Sequence, residues 1–447
     1  MSQNLGSKKI KIWFAIGTPY QANLFHPVIE KLKDRVEILV TAREHDRILE
    51  ILDAKGVGYK VVGKHGGSTL YGKLSAYAET LSGFVQLINA EKPNLMLTER
   101  WPEAVRTAFG LNIPSWTLFY DEREFHVNRM VFPLSNKVFA PSFYTPKELR
   151  EHGVLEEASI VWFKGFHTTY LKGHRPSGKD PFKEMGVSHP LVLVRTEPRF
   201  ASFFPGEKPV LEEAVKMLVG STDYRRGRFS MVAVPRDENQ RERFERMGVP
   251  IFNAATPDNP VFFADVVLGA AETMLMEAFV LSKPCVSGIY WQESKPVKEL
   301  HKHVPHSKDP KELCSETLRL INPEEAESFK KRARRMVDLM DNITEKIERE
   351  ILLFLGEKVS AKKYRLRRSE LDLCMELIEE VSLSPSKLTP LMYNMGVSYN
   401  KLRALVKKLV NKGLLMETIV DGDKYYRATD QGVELLFNYK RIRSVLD

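Results

Sequence analysis

The sequence predicts an α/β protein: two Rossmann-like domains of parallel sheet facing each other across a cleft, followed by a winged helix. Three observations carry that prediction. Short apolar runs alternate with helical patterns from the start of the chain, which implies right-handed crossovers and a parallel sheet. The alternation restarts at Leu191, so there are two such halves. The last eighty or so residues read helix, helix, helix, hairpin, helix, which is the winged-helix order. A chain of 447 residues also exceeds what one core ordinarily organises.

In the first half, Ile10–Ile16 reads as a strand, Gly17-Thr18-Pro19 as a loop and Leu24–Lys33 as a helix. Val36–Thr41 and Tyr59–Val62 read as strands, His45–Lys55 and Leu74–Ala90 as helices, and Leu95–Thr98 and Ser115–Phe119 continue the series. The second half gives strands at Leu191–Val194, Phe229–Val234, Ile251-Phe252 and Val266–Leu268, each followed by a helical stretch or a Pro/Gly loop. Gly165–Asp180, rich in Gly, His, Lys and Pro, is the expected hinge. Pro323–Leu355 reads as one long charged helix that closes the second domain and packs back on the first. The expected domains are residues 1–165 and 166–356, a basic linker at 357–368, and the winged helix at 369–447.

In that last module, Glu370–Val381 and Ser386–Tyr393 read as helices. Ser398 is placed to cap a third helix, Tyr399–Lys412, that Gly413 ends. Asp421-Gly422-Asp423 between Leu415–Val420 and Lys424–Ala428 signals a hairpin, and Thr429 caps a final helix through Tyr439.

Composition narrows the class. Hydrophobic content of 43% and charge of 28% fit a soluble globular protein. No apolar run approaches the roughly 20 residues of a membrane span, and the N-terminus runs straight into a strand pattern without a signal-peptide core. Cys285, Cys314 and Cys374 are odd in number and far apart, which predicts buried reduced thiols in a cytoplasmic protein and no disulfide framework. His301, His303 and His306 read as solvated loop histidines, so no metal site is expected. Net charge is +9, and Ser360–Asp447 holds 16 Lys+Arg against 11 Asp+Glu, more than half of that excess. Such a balance suits nucleic acid or nucleotide phosphates.

The segment from Ala264 to Ala278 carries the strongest site signal: a strand, the small-residue turn Gly269-Ala270-Ala271, then a helix start at Glu272-Thr273. Unpaired N–H groups and the positive end of a helix dipole suit a diphosphate. Thr273 can add a hydroxyl donor, and Glu277, one turn on, can accept from ribose hydroxyls. The alternative is an ordinary strand-to-helix turn with Glu277 solvated. Arg195 and Arg199, after the second half's opening strand, can bind phosphate bidentately or form surface ion pairs. Glu99, Asp121 and Glu122 follow first-half strands at their carboxyl ends, where open α/β sheets bind ligands, and His126 lies just beyond. They are the candidate acid/base groups, or else they rim the cleft in pairs with Arg100, Arg123 or Arg129.

These residues resemble an uncharacterised archaeal family of glycosyltransferase-like proteins, domain-of-unknown-function family 354, and more distantly the GT-B glycosyltransferases and UDP-N-acetylglucosamine 2-epimerases. The likeness covers about Lys9–Leu355 and recurs in order. Lys64-His65-Gly66-Gly67-Ser68 is similar to the family's Gly-Gly loop, and Asp121-Glu122 through His126, Asn128-Arg129 and Phe132-Pro133-Leu134 to its mid-domain motif. Gly165 through Tyr170-Leu171 is similar to its inter-domain segment, and Val194-Arg195 to its second opening strand. The family pattern Ala-Asp-Leu-Val-Ile-Gly-Ala-Gly-Gly-Thr-Met departs here, because Ala271 and Glu272 replace its two glycines. A carboxylate at Glu272 repels a diphosphate unless it points away or pairs with a cation. The family's Pro-His-Val-His-like loop is Pro19-Tyr20-Gln21-Ala22-Asn23 here, with His26 retained on the helix.

The resemblance implies a GT-B pair of Rossmann domains that binds a nucleotide sugar, UDP-linked, for glycosyl transfer or 2-epimerisation, with no metal or redox cofactor. Glu122 or His126 would then activate an acceptor. Arg195, Ala271, Glu272 and Thr273 would hold the diphosphate and Glu277 the ribose, with Gly17, Gly66 and Gly67 forming glycine loops. The end module resembles archaeal winged helix-turn-helix regulators, especially at Ser398–Leu414 and Thr429-Asp430-Gln431-Gly432. There Leu402, Leu405, Val406 and Leu409 form a core face. Asn400, Lys401, Arg403, Lys407 and Lys408 remain for bases and phosphates of double-stranded DNA, with Lys424, Tyr425 and Arg427 on the wing. Dimerisation is the alternative use of that module. A second functional class stays open: a transcriptional regulator, acting as a homodimer, whose degenerate enzyme half senses a ligand.

Overall fold

Lys-Ile-Trp-Phe-Ala-Ile opens the first sheet because a near-continuous apolar run suits a strand covered on both faces. It forms β1 (Lys11–Ile16), buried from Ile12 onward. The computed structural model describes residues 9–446 except 68, 177, 198–209, 254–257, 358–368, 384, 396 and 421–422. Ser68, Arg199, the Asp421-Gly422 turn and nearly all of the expected linker therefore lie outside the described residues. The chain divides into two compact units: one runs to Ala333 and adds Asn342–Ile351, and the other joins Arg334–Asp341 to the chain from Leu352 onward.

In the first unit, β2 (Glu37–Glu44), β3 (Lys60–Lys64), β4 (Leu95–Leu97), β5 (Ser115–Leu118), β6 (Lys137–Pro141) and β7 (Ile160–Phe163) join β1 in a seven-stranded sheet of order 3-2-1-4-5-6-7. Every pairing is parallel. The order reverses between β1 and β4, which opens a crevice at the carboxyl ends of the strands. A second parallel sheet contains β8 (Leu191–Arg195), β9 (Ser230–Ala233), β10 (Val266–Gly269) and β11 (Cys285–Ser287) in the order 11-10-8-9. Its own reversal lies between β8 and β10. Ile251, expected in a strand, contributes a single parallel bridge to Ala233.

Several boundaries move for local reasons. The first helix starts at Pro19, five residues before the apolar pattern, because Thr18 caps it by accepting from the Gln21 N–H and Pro19 fits the first turn. Pro323–Leu355 is two helices, Pro323–Asp338 and Ile343–Phe354. Asn342 Oδ1 restarts the second by accepting from the backbone N–H and the hydroxyl of Thr344 (3.0 and 2.7 Å). That helix packs back on the first sheet as expected: Lys346 Nζ reaches the Trp162 carbonyl (3.0 Å), and Lys31 and Lys137 pair with Glu348 and Glu350. Strands β6, β7 and β11 are additions to the expected set.

The second unit has helices Glu370–Ser382, Leu388–Met395 and Tyr399–Asn411, then the hairpin β12 (Leu415–Val420) and β13 (Asp423–Ala428), then helix Asp430–Leu446. Leu377, Ile378, Leu391, Leu402 and Leu436 are buried in one core. Ser398 occupies the cap position of the third helix but makes no capping hydrogen bond, whereas Gly413 takes a φ of +69° just past its end, as expected for a C-cap glycine. Among the described residues, no helix is long and apolar enough to cross a membrane. All three cysteines are free and buried.

Candidate nucleotide cleft and winged-helix face

The carboxyl ends of the two sheets line a cavity of about 920 Å³, within the range of ligand sites. From the first lobe come Tyr20, the loop His45-Asp46-Arg47 after β2, Arg100 after β4, and Tyr120, Asp121 and Arg123 after β5. From the second come Arg195 after β8, Arg236 after β9, and Ala271, Glu272, Thr273 and Glu277 around the start of helix Glu272–Val280. His167, on the short 3-10 helix His167–Leu171, comes from the segment that connects the two sheets. Arg195, Ala271, Glu272, Thr273, Glu277 and Asp121 are thus brought together. Glu99, Glu122, His126, Gly17, Gly66 and Gly67 do not line the cavity.

The second-lobe wall carries two arginines, Arg195 and Arg236. Among the described residues, neither Arg195 nor Arg236 pairs with a carboxylate; Arg236 Nε donates only to the Thr196 carbonyl (3.2 Å). Burial, reinforced by the Arg195 charge, pushes the Arg236 guanidinium down to about 9. Burial lowers Arg195 too, against the pull of Asp46 and Glu277. Asp46, in the left-handed region at φ +51°, is the first-lobe carboxylate that feels both arginines. Two desolvated cations beside a helix start are suited to an anion.

Glu272 does face the cleft, and a cation compensates it. Its Oε2 accepts from Arg123 Nη2 (2.9 Å) and Ser294 Oγ (3.0 Å), and Oε1 lies 2.7 Å from Arg123 Nη1. Burial still raises the Glu272 carboxyl above the ordinary range, outweighing Arg123. Glu277 is buried and accepts from the Tyr170 hydroxyl (2.6 Å); burial raises its pKa against hydrogen bonds from Tyr170 and Asn259. It is not the solvated carboxylate of the alternative reading.

The first-lobe carboxylates are engaged. Asp121 accepts a bidentate pair from Arg123 (3.0 and 2.8 Å); burial opposes ionisation, yet Arg123 and Arg100 hold its pKa below normal. Glu99 is buried and accepts from Gln21 Nε2 (3.1 Å) and Arg100 Nε (3.2 Å). Glu122 accepts from the Tyr144 hydroxyl and the Lys295 backbone N–H, both at 2.6 Å. His126 is exposed, its ring beside Phe125. Gly17 donates its N–H to Gln21, and a side chain there would press on the Trp101 indole. Gly66 lets two backbones meet, since an added Cβ would lie 2.4 Å from the Gly72 carbonyl oxygen, and Gly67 sits at φ +75°.

Sequence reasoning missed Arg236, Tyr120 and the individual role of His167. Arg236 follows a strand in Val234-Pro235-Arg236, the same positional signal that singled out Arg195. The expected solvation fails for the His301 side chain, while His303 is half-buried and His306 is exposed as expected. His301 ends a helix, is buried, bonds Glu293 (2.9 Å) and Ser287 (2.8 Å), and stacks on His306. No group of three potential metal ligands occurs among the described residues.

On the winged helix, Asn400, Lys401, Arg403, Lys407 and Lys408 are exposed on one helix while Leu402, Leu405, Val406 and Leu409 are buried. Lys408 pairs with Glu370 and Lys424 with Glu417, both at 2.6 Å on the surface. Arg427 is half-buried on the wing strand. Exposed pairs of this kind are weak and exchange readily for phosphate.

Two parallel-sheet lobes around a cleft, followed by a winged helix, define a GT-B-like α/β protein with a winged-helix module. The chain belongs to the family described as protein of unknown function (DUF354), whose model matches residues 10–351, and a winged helix-turn-helix model matches residues 367–447. An uncharacterized protein of Methanocaldococcus jannaschii, MJ0665, is 27% identical over 292 residues, 62% of this chain and 81% of that protein. Solved structures share the fold at low identity. The Neisseria meningitidis UDP-GlcNAc 2-epimerase bound to UDP-GlcNAc superposes with a TM-score of 0.57 at 16% identity, over 77% of this chain and 100% of that one. The M. jannaschii UDP-GlcNAc 2-epimerase in complex with UDP-GlcNAc and UDP gives 0.54 at 13%, over 78% and 99%. Anabaena Alr3699/HepE in complex with UDP and glucose gives 0.52 at 16%, over 78% and 99%.

Proposed function

We propose that the cleft binds a nucleotide sugar, UDP-linked, as a glycosyltransferase or 2-epimerase type of protein, and that the winged helix binds double-stranded DNA. One observation carries the ligand reading: Arg195 and Arg236, desolvated and without carboxylate partners among the described residues, flank the start of helix Glu272–Val280. Their natural complement is a diphosphate. Glu277, which accepts from Tyr170 and Asn259, keeps acceptor capacity for ribose hydroxyls on its remaining lone pairs. The structures with bound UDP and UDP-GlcNAc share this fold, which supports the choice of nucleotide.

A regulatory reading has its own support. Glu99, Asp121 and Glu122 are all tied to internal partners, so no carboxylate among the acid/base candidates is poised for proton transfer. Such a cleft suits sensing without turnover. Incubation with UDP-GlcNAc, with and without DNA, separates the readings. Release of UDP or formation of an epimer supports the enzyme, saturable binding without product supports the sensor, and absence of binding overturns both.

A further inference from the structure

We infer that the first-lobe side of the cleft receives an uncharged, hydroxyl-bearing sugar and not a sugar acid, with the His167 imidazole hydrogen-bonding that sugar. The inference rests on the nucleotide-sugar reading and adds the class of sugar to it.

His167 is 2% exposed, lines the cavity, and has no hydrogen-bond partner at Nδ1 or Nε2. Two tyrosines hold the ring. It stacks on Tyr120 at 4.0 Å and 17°, and meets Tyr20 edge-on at 4.9 Å. The Tyr20 hydroxyl is committed to the backbone carbonyl of His167 itself (2.9 Å), so it cannot serve the ring. A buried polar group left without a partner costs free energy, which a hydrogen-bonding ligand would recover. Burial, with the Arg100 charge, pushes the imidazole down to about 3, so it stays neutral and offers one donor and one acceptor. A hydroxyl, which also donates and accepts, is the matching group.

The charged groups that act on His167, Arg100 and Asp121, are already paired. Arg100 donates to Glu99 (3.2 Å) and Asn128 (3.2 Å) and lies over the Tyr120 ring at 4.6 Å. Asp121 is held by Arg123. Arg47, the other first-lobe arginine in the cavity, pairs with Glu50 through Nε, has a buried Nη2 without a hydrogen-bond partner, and lies within electrostatic reach of Arg195 on the phosphate side. A sugar carboxylate placed beside His167 would lose its hydration and find Arg100 and Arg123 already engaged, with Arg47 left to the phosphate side. The connecting segment supplies both recognition groups: His167 begins the 3-10 helix, and Tyr170 on the same helix orients Glu277.

Calorimetric titration of the full chain with UDP, UDP-glucose and UDP-glucuronate tests this. The two sugars differ only in a hydroxymethyl against a carboxylate. Wild type is expected to bind UDP-glucose at least tenfold tighter than UDP-glucuronate. His167→Phe is expected to lose about tenfold for UDP-glucose while UDP stays within twofold, and His167→Gln, which keeps a donor and an acceptor, to retain most of the affinity. Equal or tighter binding of UDP-glucuronate by wild type overturns the inference without any variant. So does unchanged UDP-glucose affinity in a folded His167→Phe. If wild type binds none of the three, the nucleotide-sugar reading itself falls and this inference falls with it.

Discussion

Arg123 and Glu272 form an ion pair across the cleft, with Nη1 and Oε1 at 2.7 Å, joining the loop after β5 to the first residue of helix Glu272–Val280. The same arginine grips Asp121 and donates to the Gln292 carbonyl (3.0 Å). The carboxylate where the family pattern has glycine is therefore matched with a first-lobe cation, and it stands where a diphosphate would approach.

Glu272→Gln is expected to bind UDP about tenfold more tightly near neutral pH, because it removes a negative charge beside the phosphates and releases Arg123. Since burial raises the Glu272 pKa, wild type loses that charge as pH falls, so the ratio of variant to wild-type affinity should shrink toward one in acid. Calorimetry at several pH values checks this, and a variant that binds UDP more weakly contradicts it.

Acid should destabilise the protein in two stages. His301, held neutral and pushed down to about 4 by burial and by His306, favours the folded state above its unfolded value of 6.5 and loses that contribution as pH falls toward 4. Glu91, held at about 2 by Lys11 and Lys60, contributes above 4.5 and loses it as pH falls toward 2. Melting temperature followed from pH 7 downward should show both slopes. Glu91→Gln should melt lower at pH 7 and lose less between pH 4.5 and 2; parallel curves would contradict the assignment.

Gly432→Ala should selectively weaken the winged helix. A Cβ there would lie 2.2 Å from the Leu414 carbonyl oxygen, a backbone atom, at the point where Thr429 caps the last helix through the Gly432 N–H. A loss of roughly 1–3 kcal/mol is expected, the usual range for forced overpacking, read as a lowered transition for that unit in calorimetry. An unshifted transition would rule the contact unimportant.

Arg403→Ala and Lys407→Ala should each weaken binding to duplex DNA irrespective of sequence and reduce the salt slope by about one. Fluorescence anisotropy across a salt series measures both. Unchanged slopes in both variants would leave the helix Tyr399–Asn411 to another role, with assembly the natural successor.

The alternation of apolar runs with helical patterns made the two sheets legible, because strands such as Trp13–Ile16 and Leu191–Val194 are buried on both faces. Three short strands escaped: β11 is only Cys-Val-Ser, and β6 starts at Lys137 and ends at Pro141, so neither of these two offers a readable period. At the site, position after a strand found Arg195, Asp121 and Glu272. It could not separate groups that enter the cavity from groups facing inward, which is why Glu99 and Glu122 were candidates. His167 was visible only as part of a segment, since its packing against Tyr120 and Tyr20 depends on residues 47 and 147 positions earlier in the chain.

The return of Ile343–Phe354 to the first sheet ties early synthesis to late. Trp162, Lys31 and Lys137 find their partners only once Lys346, Glu348 and Glu350 have left the ribosome. A nascent chain halted before Asn342 would expose the flank of its own opening lobe, and gene fragments meant to express that lobe alone should carry the distal helix with them.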